Sequence, residues 1–308
     1  MSIRLGIVGF GKIAQDEHWP SIRDNPAFAL VAVAGGRSTV PDGVSRFEDH
    51  HAMLDAVGRD LDAVAICTPP GPRHAIARDC LNAGLDVLLE KPPTATLGEL
   101  DELIASADQN GRTLYAAWHS QHAPAVAPAA NALSGKRVRS LEISWCEDVR
   151  RWHPGQDWVL GPGGFGVLDA GINALSIATR ILPEPPMIDE AKLMTAANRQ
   201  APIAADVRFV QPGCTARFDW RATERERRTI EVETEDGLVL SIGDGGMALA
   251  IGGVDQSLER SREYPPMYAR FAQLIAARAS EVDVAPLRLV ADIFLVAARE
   301  TVEPFDWR

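Results

Sequence analysis

The residue of this chain most suggestive of chemistry is a lysine that closes an apolar run. Leu85-Asp86-Val87-Leu88-Leu89 reads as a short buried strand, and Glu90-Lys91-Pro92 follows it. At the carboxyl end of a parallel sheet, where such sheets bind ligands, an ammonium group stabilises a developing alkoxide and eases loss of the hydroxyl proton. Pro92 and Pro93 restrict the backbone there, which sets Lys91 apart from a surface lysine on a fraying segment. Further along, Asp169 and Asn173 are spaced i, i+4 and share one helix face just after Gly163-Gly164. A carboxylate there can accept a proton and an amide can hold a hydroxyl; the alternative for Asp169 is a helix-start acid bonded to backbone N–H groups. Glu147 and His153 bring more hydrogen-bonding groups, and Trp152 offers a face on which a sugar can stack. Polar groups beside an aromatic platform suit a polyol better than an apolar ligand.

These residues need elements to position them, and the N-terminus supplies the first. Leu5-Gly6-Ile7-Val8 reads as a strand and leads into Gly9-x-Gly11-x-x-Ala14. Gly9 allows a tight turn, Gly11 lets backbone approach a pyrophosphate, and Ala14 keeps the helix close to the strand. Lys12 and Ile13 open that helix, whose N–H groups favour an anion. The second strand ends in Ala34-Gly35-Gly36-Arg37-Ser38, without the acid that holds the ribose hydroxyls of NAD. Arg37 and Ser38 suit a 2′-phosphate, so NADP is the preferred cofactor, with NAD possible; Arg37 also reads as a solvated loop residue. The third strand ends in Cys67-Thr68-Pro69-Pro70-Gly71-Pro72-Arg73-His74, whose prolines form a rigid edge. Thr68, Pro69 and His74 on that edge, with Glu90 and Lys91 on the next, are the expected cofactor contacts.

Residues 3 to about 120 alternate strand-like and helix-like segments, which implies a doubly wound parallel sheet of Rossmann type. Thr96 followed by Glu99 reads as a capping box opening a helix over 97–110. From 121 to 308 strand-like runs dominate, with Glu235-Asp236-Gly237 a turn signal between two of them. That region reads as an α+β domain on a large open, mostly antiparallel sheet, whose C-terminal helix packs back on the first domain. Helices are expected near 267–279 and 286–301. The fold class is α/β overall, with a dinucleotide-binding domain over 1–120 and a substrate-binding and oligomerisation domain over 121–308.

Hydrophobic residues make up 46% of the 308 and charged ones 24%, enough for a sizeable core. A net charge of −11 argues against a nucleic-acid or anionic-membrane partner. Cys67, Cys80, Cys146 and Cys214 show neither metal spacing nor a disulfide framework, and no metal is expected. No leader and no apolar run of membrane length is seen, so the chain reads as cytoplasmic.

The Gly-x-Gly-x-x-Ala start, Thr68-Pro69, Glu90-Lys91-Pro92 and the Gly-rich segment before Asp169 resemble the glucose–fructose oxidoreductase / inositol dehydrogenase / MocA family over essentially the whole chain. The resemblance implies a Rossmann domain joined to an α/β domain with a large open sheet, and NAD(P)-dependent oxidation or reduction of sugar or cyclitol carbons. Trp118-His119-Ser120, Glu147 to Gln156, Gly171 to Ile177 and Pro286 to Asp292 are most similar to members that oxidise an aldopyranose at C1 to the aldonolactone. L-arabinose and D-galactose are the expected substrates. By that resemblance Lys91, Asp169 and Asn173 are catalytic; His119, Glu147 and His153 contact the sugar, with Trp152 nearby. Many family members carry histidine at the position of Asn173 as proton acceptor. An amide cannot take that role, which moves it to Asp169 with Lys91 assisting. Two alternatives are an enzyme of the same family acting on another sugar or cyclitol, and an NAD(P)-binding sensor without turnover. The resemblance also implies a homodimer or higher homo-oligomer, and an uncovered apolar sheet face would favour one.

Overall fold

A computed structural model describes residues 2–36, 38–259 and 261–307. It divides into two units, one of residues 1–119 with 262–284 and one of residues 120–261 with 285–308.

In the first unit, six strands among the described residues form one wholly parallel sheet: β1 (Ile3–Val8), β2 (Phe28–Ala34), β3 (Ser45–Phe47), β4 (Ala63–Ile66), β5 (Asp86–Glu90) and β6 (Leu114–Ala117). Their order is β3-β2-β1-β4-β5-β6. The order reverses direction between β1 and β4, the point at which such sheets take ligands. β4 and β5 are buried along nearly their whole length because helices cover a parallel sheet. The helix Leu97–Asn110 starts at Thr96 with both reciprocal bonds of the capping box present. β3 is a three-residue edge strand that the sequence pattern does not reveal.

Residues 262–284 fall with this unit and not with the region after residue 120. Their helix, Tyr264–Ala277, buries Tyr264, Met267, Tyr268, Phe271 and Leu274 in one core with Leu5, Ile7, Phe28 and Tyr115. Phe271 stacks on Phe28 and on Tyr115, with ring centroids 6.1 and 6.0 Å apart.

In the second unit, nine strands among the described residues form a mixed sheet: β7 (Val138–Cys146), β8 (Ile188–Ala196), β9 (Ala204–Phe209), β10 (Cys214–Asp219), β11 (Arg227–Thr234), β12 (Val239–Gly243), β13 (Ala248–Ile251), β14 (Val254–Asp255) and β15 (Ala298–Val302). Pairing is antiparallel except between β7 and β10 and between β8 and β15. The helices Val126–Leu133 and Ala285–Val296 pack against Leu168–Ile181, which itself packs on the sheet. The opposite face is charged, not apolar as expected. Alternation along β9 and β10 turns Asp206, Arg208 and Arg217 outward, near Lys192 of β8 and Glu142 of β7. A second difference lies at the C-terminus. The helix predicted over 286–301 ends at Val296, and residues 298–302 pair in parallel with Lys192–Ala196. Among the described residues no helix is long and apolar enough to cross a membrane.

Candidate active site

Lys91 stands directly after β5, and the Lys91–Pro92 peptide is cis. The loop is held by Arg73, on the helix Pro70–Asn82 that begins at the end of β4. Its guanidinium is 2% exposed and donates to the carbonyl oxygens of Thr68, Glu90 and Pro92. One buried cation thus ties together the loops after β4 and β5, the two edges from which Thr68 and Lys91 project. Sequence reading singled out His74 from the same string. His74 shares a hydrogen bond of 2.7 Å with Glu102 on the next helix. An arginine one turn into a helix that starts at a strand end was the available signal.

Glu90, expected as a cofactor contact, carries a buried carboxylate within a hydrogen-bonded network. Tyr264 Oη donates to its Oε1 at 2.5 Å, and His18 Nε2 lies 3.4 Å from the same atom. His18 Nδ1 and Tyr268 Oη are 2.7 Å apart. His18 ends the π-wound segment Ala14–His18, a local irregularity of the kind that gathers at functional sites. Burial works against charge on His18, but Cys67 and Glu90 outweigh it and lift the imidazole to about 10. Burial likewise opposes the Glu90 carboxylate, yet the His18 hydrogen bond and the charges of His119, His18 and Lys91 hold it at about 2. The two therefore face each other as an ion pair at neutral pH.

The glycine-rich turn fits a dinucleotide. Gly9 has φ of +90°, and a Cβ there would meet Thr68 N at 2.7 Å, so glycine is required for β1 and β4 to end side by side. A Cβ on Gly11 would meet nothing within 4 Å, which leaves its backbone open to approach. Thr68 Oγ1 is buried without a hydrogen-bond partner among the described residues. Lys12 pairs with Asp16, while Ile13 and Pro69 are exposed on the turn and the β4 edge. Arg37 lies outside the described residues. Ser38 Oγ accepts from Gln15 Nε2 at 2.6 Å, and its carbonyl accepts from Arg46 at 3.0 Å. Arg46, on β3, also donates to the Gly36 carbonyl. It lines an open groove with Gly35, Gly36, Phe47 and Glu48, and the missed edge strand is why sequence reading passed it over.

His119 follows β6 and hydrogen bonds through Nδ1 to Glu263. Its ring stacks on Tyr264 with centroids 5.1 Å apart and planes 18° apart.

In the second unit, Asp169 lies in the first turn of Leu168–Ile181 and is 3% exposed. Asn173 follows one turn later on the same face and is half-buried. The Gly-rich approach is dictated by packing. Gly166 has φ of +56°, and a Cβ there would lie 2.2 Å from the Pro202 carbonyl oxygen. His153 Nε2 is 3.7 Å from Asp169 Oδ2, and the imidazole rests on Trp220 at 5.1 Å between centroids. Glu147, just beyond β7, is buried, and its N–H bonds the Asp219 carbonyl at 2.9 Å. Trp152 is braced: Nε1 donates to Glu226 at 2.8 Å, and the guanidinium groups of Arg151 and Arg228 lie 4.9 and 4.8 Å from its ring. That differs from an open stacking platform. Glu226 and Arg228 come from around the start of β11, with no local sequence signal. Within this unit the structure brings together His153 and Asp169, as a buried carboxylate beside an imidazole.

The sequence patterns also show no metal spacing. The fold does bring ligand atoms of His50, His51 and Asp79 within 4.8 Å of one another, with His50 and Asp79 hydrogen bonded at 3.1 Å.

Residues 3–118 match the model of the GFO/IDH/MocA oxidoreductase family, with its NAD-binding Rossmann fold. Over 310 aligned residues the chain is 44% identical to galactose 1-dehydrogenase of Pseudomonas fluorescens, covering 98% of both chains. The chain belongs to this oxidoreductase family. Among solved structures, D-galactose-1-dehydrogenase from Rhizobium etli superposes with a TM-score of 0.93 at 47% identity, covering 99% of this chain and 98% of that one. A 3-ketoreductase from Actinomadura kijaniata, bound to TDP-benzene and NADP, shares the fold at a TM-score of 0.85 and 21% identity, covering 98% of this chain and all of that one. In the first unit an ammonium group thus stands at the end of a dinucleotide-type sheet, and in the second a buried carboxylate and an amide share one helix face.

Proposed function

We propose that this oxidoreductase is a sugar 1-dehydrogenase that oxidises an aldopyranose at C1 to the aldonolactone. D-galactose and L-arabinose are its substrates and NADP its preferred acceptor. The observation that carries the reading is the full-length likeness to galactose 1-dehydrogenase. Asp169 takes the C1 hydroxyl proton, directly or through water, with His153 beside it to orient the carboxylate. Lys91 stabilises negative charge growing on that oxygen, and Asn173 holds it by hydrogen bonding. The nicotinamide, when bound, supplies the hydride acceptor. His119, Glu147 and His153 are the contacts to the ring hydroxyls, with Trp152 nearby. The two sugars share configuration at C2, C3 and C4 and differ in the C5 hydroxymethyl group. Discrimination between them is therefore modest unless a polar partner is built for that group.

NADP is favoured because β2 ends in Ala34-Gly35-Gly36 with no acid, while Ser38 and Arg46 stand on the loop beyond it. Gly9, Gly11, Lys12, Ile13, Thr68 and Pro69 hold the rest of the dinucleotide. Glu48 in the same groove favours NAD as a second, weaker acceptor, since a carboxylate repels a 2′-phosphate. We further infer a homodimer joined through the charged sheet face.

The test is initial rates with NADP⁺ and NAD⁺ across a panel of aldoses and polyols. Rapid turnover of galactose and arabinose, best with NADP⁺, is expected. Cofactor binding without turnover of any aldose would sink the reading. In Lys91→Ala, kcat falls by about 100- to 1,000-fold, the scale of losing one charge-stabilising donor, while dinucleotide affinity is kept.

A further inference from the structure

His119 is bracketed by residues that no sequence motif singles out. Its Nδ1 meets the Glu263 carboxylate, and both side chains are largely buried, 13% and 15% exposed. One face of the ring rests on Tyr264. Tyr264 is itself fixed by donating its hydroxyl to Glu90, the residue preceding Lys91. The imidazole thus has its position set by an edge contact and a face contact, both from the start of the helix Tyr264–Ala277. That helix is anchored in the core of the first unit by Met267, Tyr268 and Phe271. Sequence neighbours cannot supply such a bracket, because Glu263 lies 144 residues from His119.

We propose that Glu263 is a positioning residue: its carboxylate engages His119 Nδ1–H and, with the Tyr264 ring against one face, fixes the orientation of the imidazole and favours its charged form where it meets the sugar. The inference rests on the reading of His119 as a substrate contact. A carboxylate on one ring nitrogen decides which proton the other carries, as in many carboxylate–histidine pairs. The electrostatics agree in sign. Glu263, Glu90, Lys91 and Tyr264 are among the charged and titratable groups that face the ring. Burial opposes charge on His119 and Lys91 repels it, but Glu263 first and Glu90 second outweigh both, and the imidazole titrates above its ordinary value. With its proton held on Nδ1 by the carboxylate, a neutral ring would offer its other nitrogen only as a lone pair, whereas the charged ring offers an N–H donor whose bond strengthens as a sugar oxygen gains negative character.

The experiment pairs NMR with kinetics. Side-chain imidazole shifts of the seven histidines are followed against pH in the unliganded enzyme, with His119 assigned from His119→Asn. The wild-type His119 is expected to titrate above 6.5, and in Glu263→Gln at or below it. In that variant kcat/KM for the sugar falls by about 10- to 100-fold at neutral pH, the scale of one hydrogen bond to a charged group. Part of the loss returns as the pH is lowered, and dinucleotide Kd is unchanged. A wild-type His119 that titrates at or below 6.5 overturns the proposal even if the variant does not fold. So does a Glu263→Gln enzyme with wild-type sugar kinetics while His119→Asn is impaired, and the substrate-contact reading then stands. If His119→Asn itself leaves sugar kinetics untouched, that reading of His119 falls and the proposal with it.

Discussion

Glu90 shows how a buried charge is made tolerable beside Lys91. A lone carboxylate in that position would take up a proton. Here Tyr264 donates to it and His18 faces it at 3.4 Å. Glu90 and His18 lie 72 residues apart in sequence, so the pair is invisible to spacing arguments although Glu90 itself is conspicuous. Removing one partner of a buried pair leaves the other uncompensated, which costs roughly 3–5 kcal/mol. His18→Gln is therefore expected to lower the unfolding free energy by about that much near pH 6. The pH dependence has a definite sign. His18 titrates at about 10 in the folded protein against 6.5 unfolded, so its stabilisation is complete below 6.5 and is lost as pH climbs toward 10. The folded Glu90 titrates at about 2 against 4.5, so its contribution is complete above 4.5 and is lost as pH falls toward 2. Urea unfolding of wild type and His18→Gln at a series of pH values reads both limbs. The gap between the two proteins should narrow from pH 6.5 to 10; a constant gap would mean that His18 is not charged in the fold.

At the scale of elements, close approaches decide where Asp169 and Asn173 sit. Gly171 lies between Asp169 and Asn173 on Leu168–Ile181, and a Cβ added there would come within 2.7 Å of the Phe218 ring on β10. Phe218 is fully buried and has little room to yield. Gly171→Ala should cost about 1–3 kcal/mol by overpacking and, by pushing the helix off β10, lower kcat. Gly11→Ala is the contrasting case. Its Cβ meets nothing in the protein, so the melting temperature should hold while dinucleotide affinity falls. A matched pair of melting curves and cofactor titrations separates the two, and an unchanged cofactor affinity in Gly11→Ala would count against the pyrophosphate reading. The same physics explains what sequence could and could not reveal. The helix over 97–110 was legible because Thr96 and Glu99 cap it locally; Asp169 and Asn173 stood out by their i, i+4 spacing and Lys91 by its place between an apolar run and two prolines. β15 was read as a helical continuation because Ala298–Val302 gains its strand character from β8, about a hundred residues earlier. Arg73, Glu263 and Tyr264 escaped notice for a similar reason, since each acts through a carbonyl, ring or carboxylate that is remote in sequence.

The whole molecule carries a net charge of −11, yet the uncovered face of its large sheet is mixed in sign. Arg208 pairs with Asp189 and Glu190, Arg217 with Asp206 and Asp219, and Lys192 with Glu300. An apolar face would have pointed to a permanent hydrophobic interface; a charged one points to an association whose strength depends on ionic conditions. A surface with interleaved rows of both signs can meet a copy of itself across a twofold axis, where each row faces its complement. The rows of a twisted nine-stranded sheet extend over more than one Debye length, which is about 10 Å at 0.1 M salt. Salt should therefore weaken the proposed homodimer, and reversing one charge should do more than neutralising it. Sedimentation velocity at 50 mM and 1 M salt is expected to show dimer giving way to monomer, with Arg217→Glu shifting the balance to monomer already at low salt. Because Arg217 also pairs with Asp206 and Asp219, the reversal should lower the melting temperature modestly, and Arg217→Gln, which adds no repulsion, is run beside it. A wild type that sediments as a monomer at both salt concentrations would leave the charged face as solvated surface. A dimer indifferent to salt and to Arg217→Glu would place the interface elsewhere.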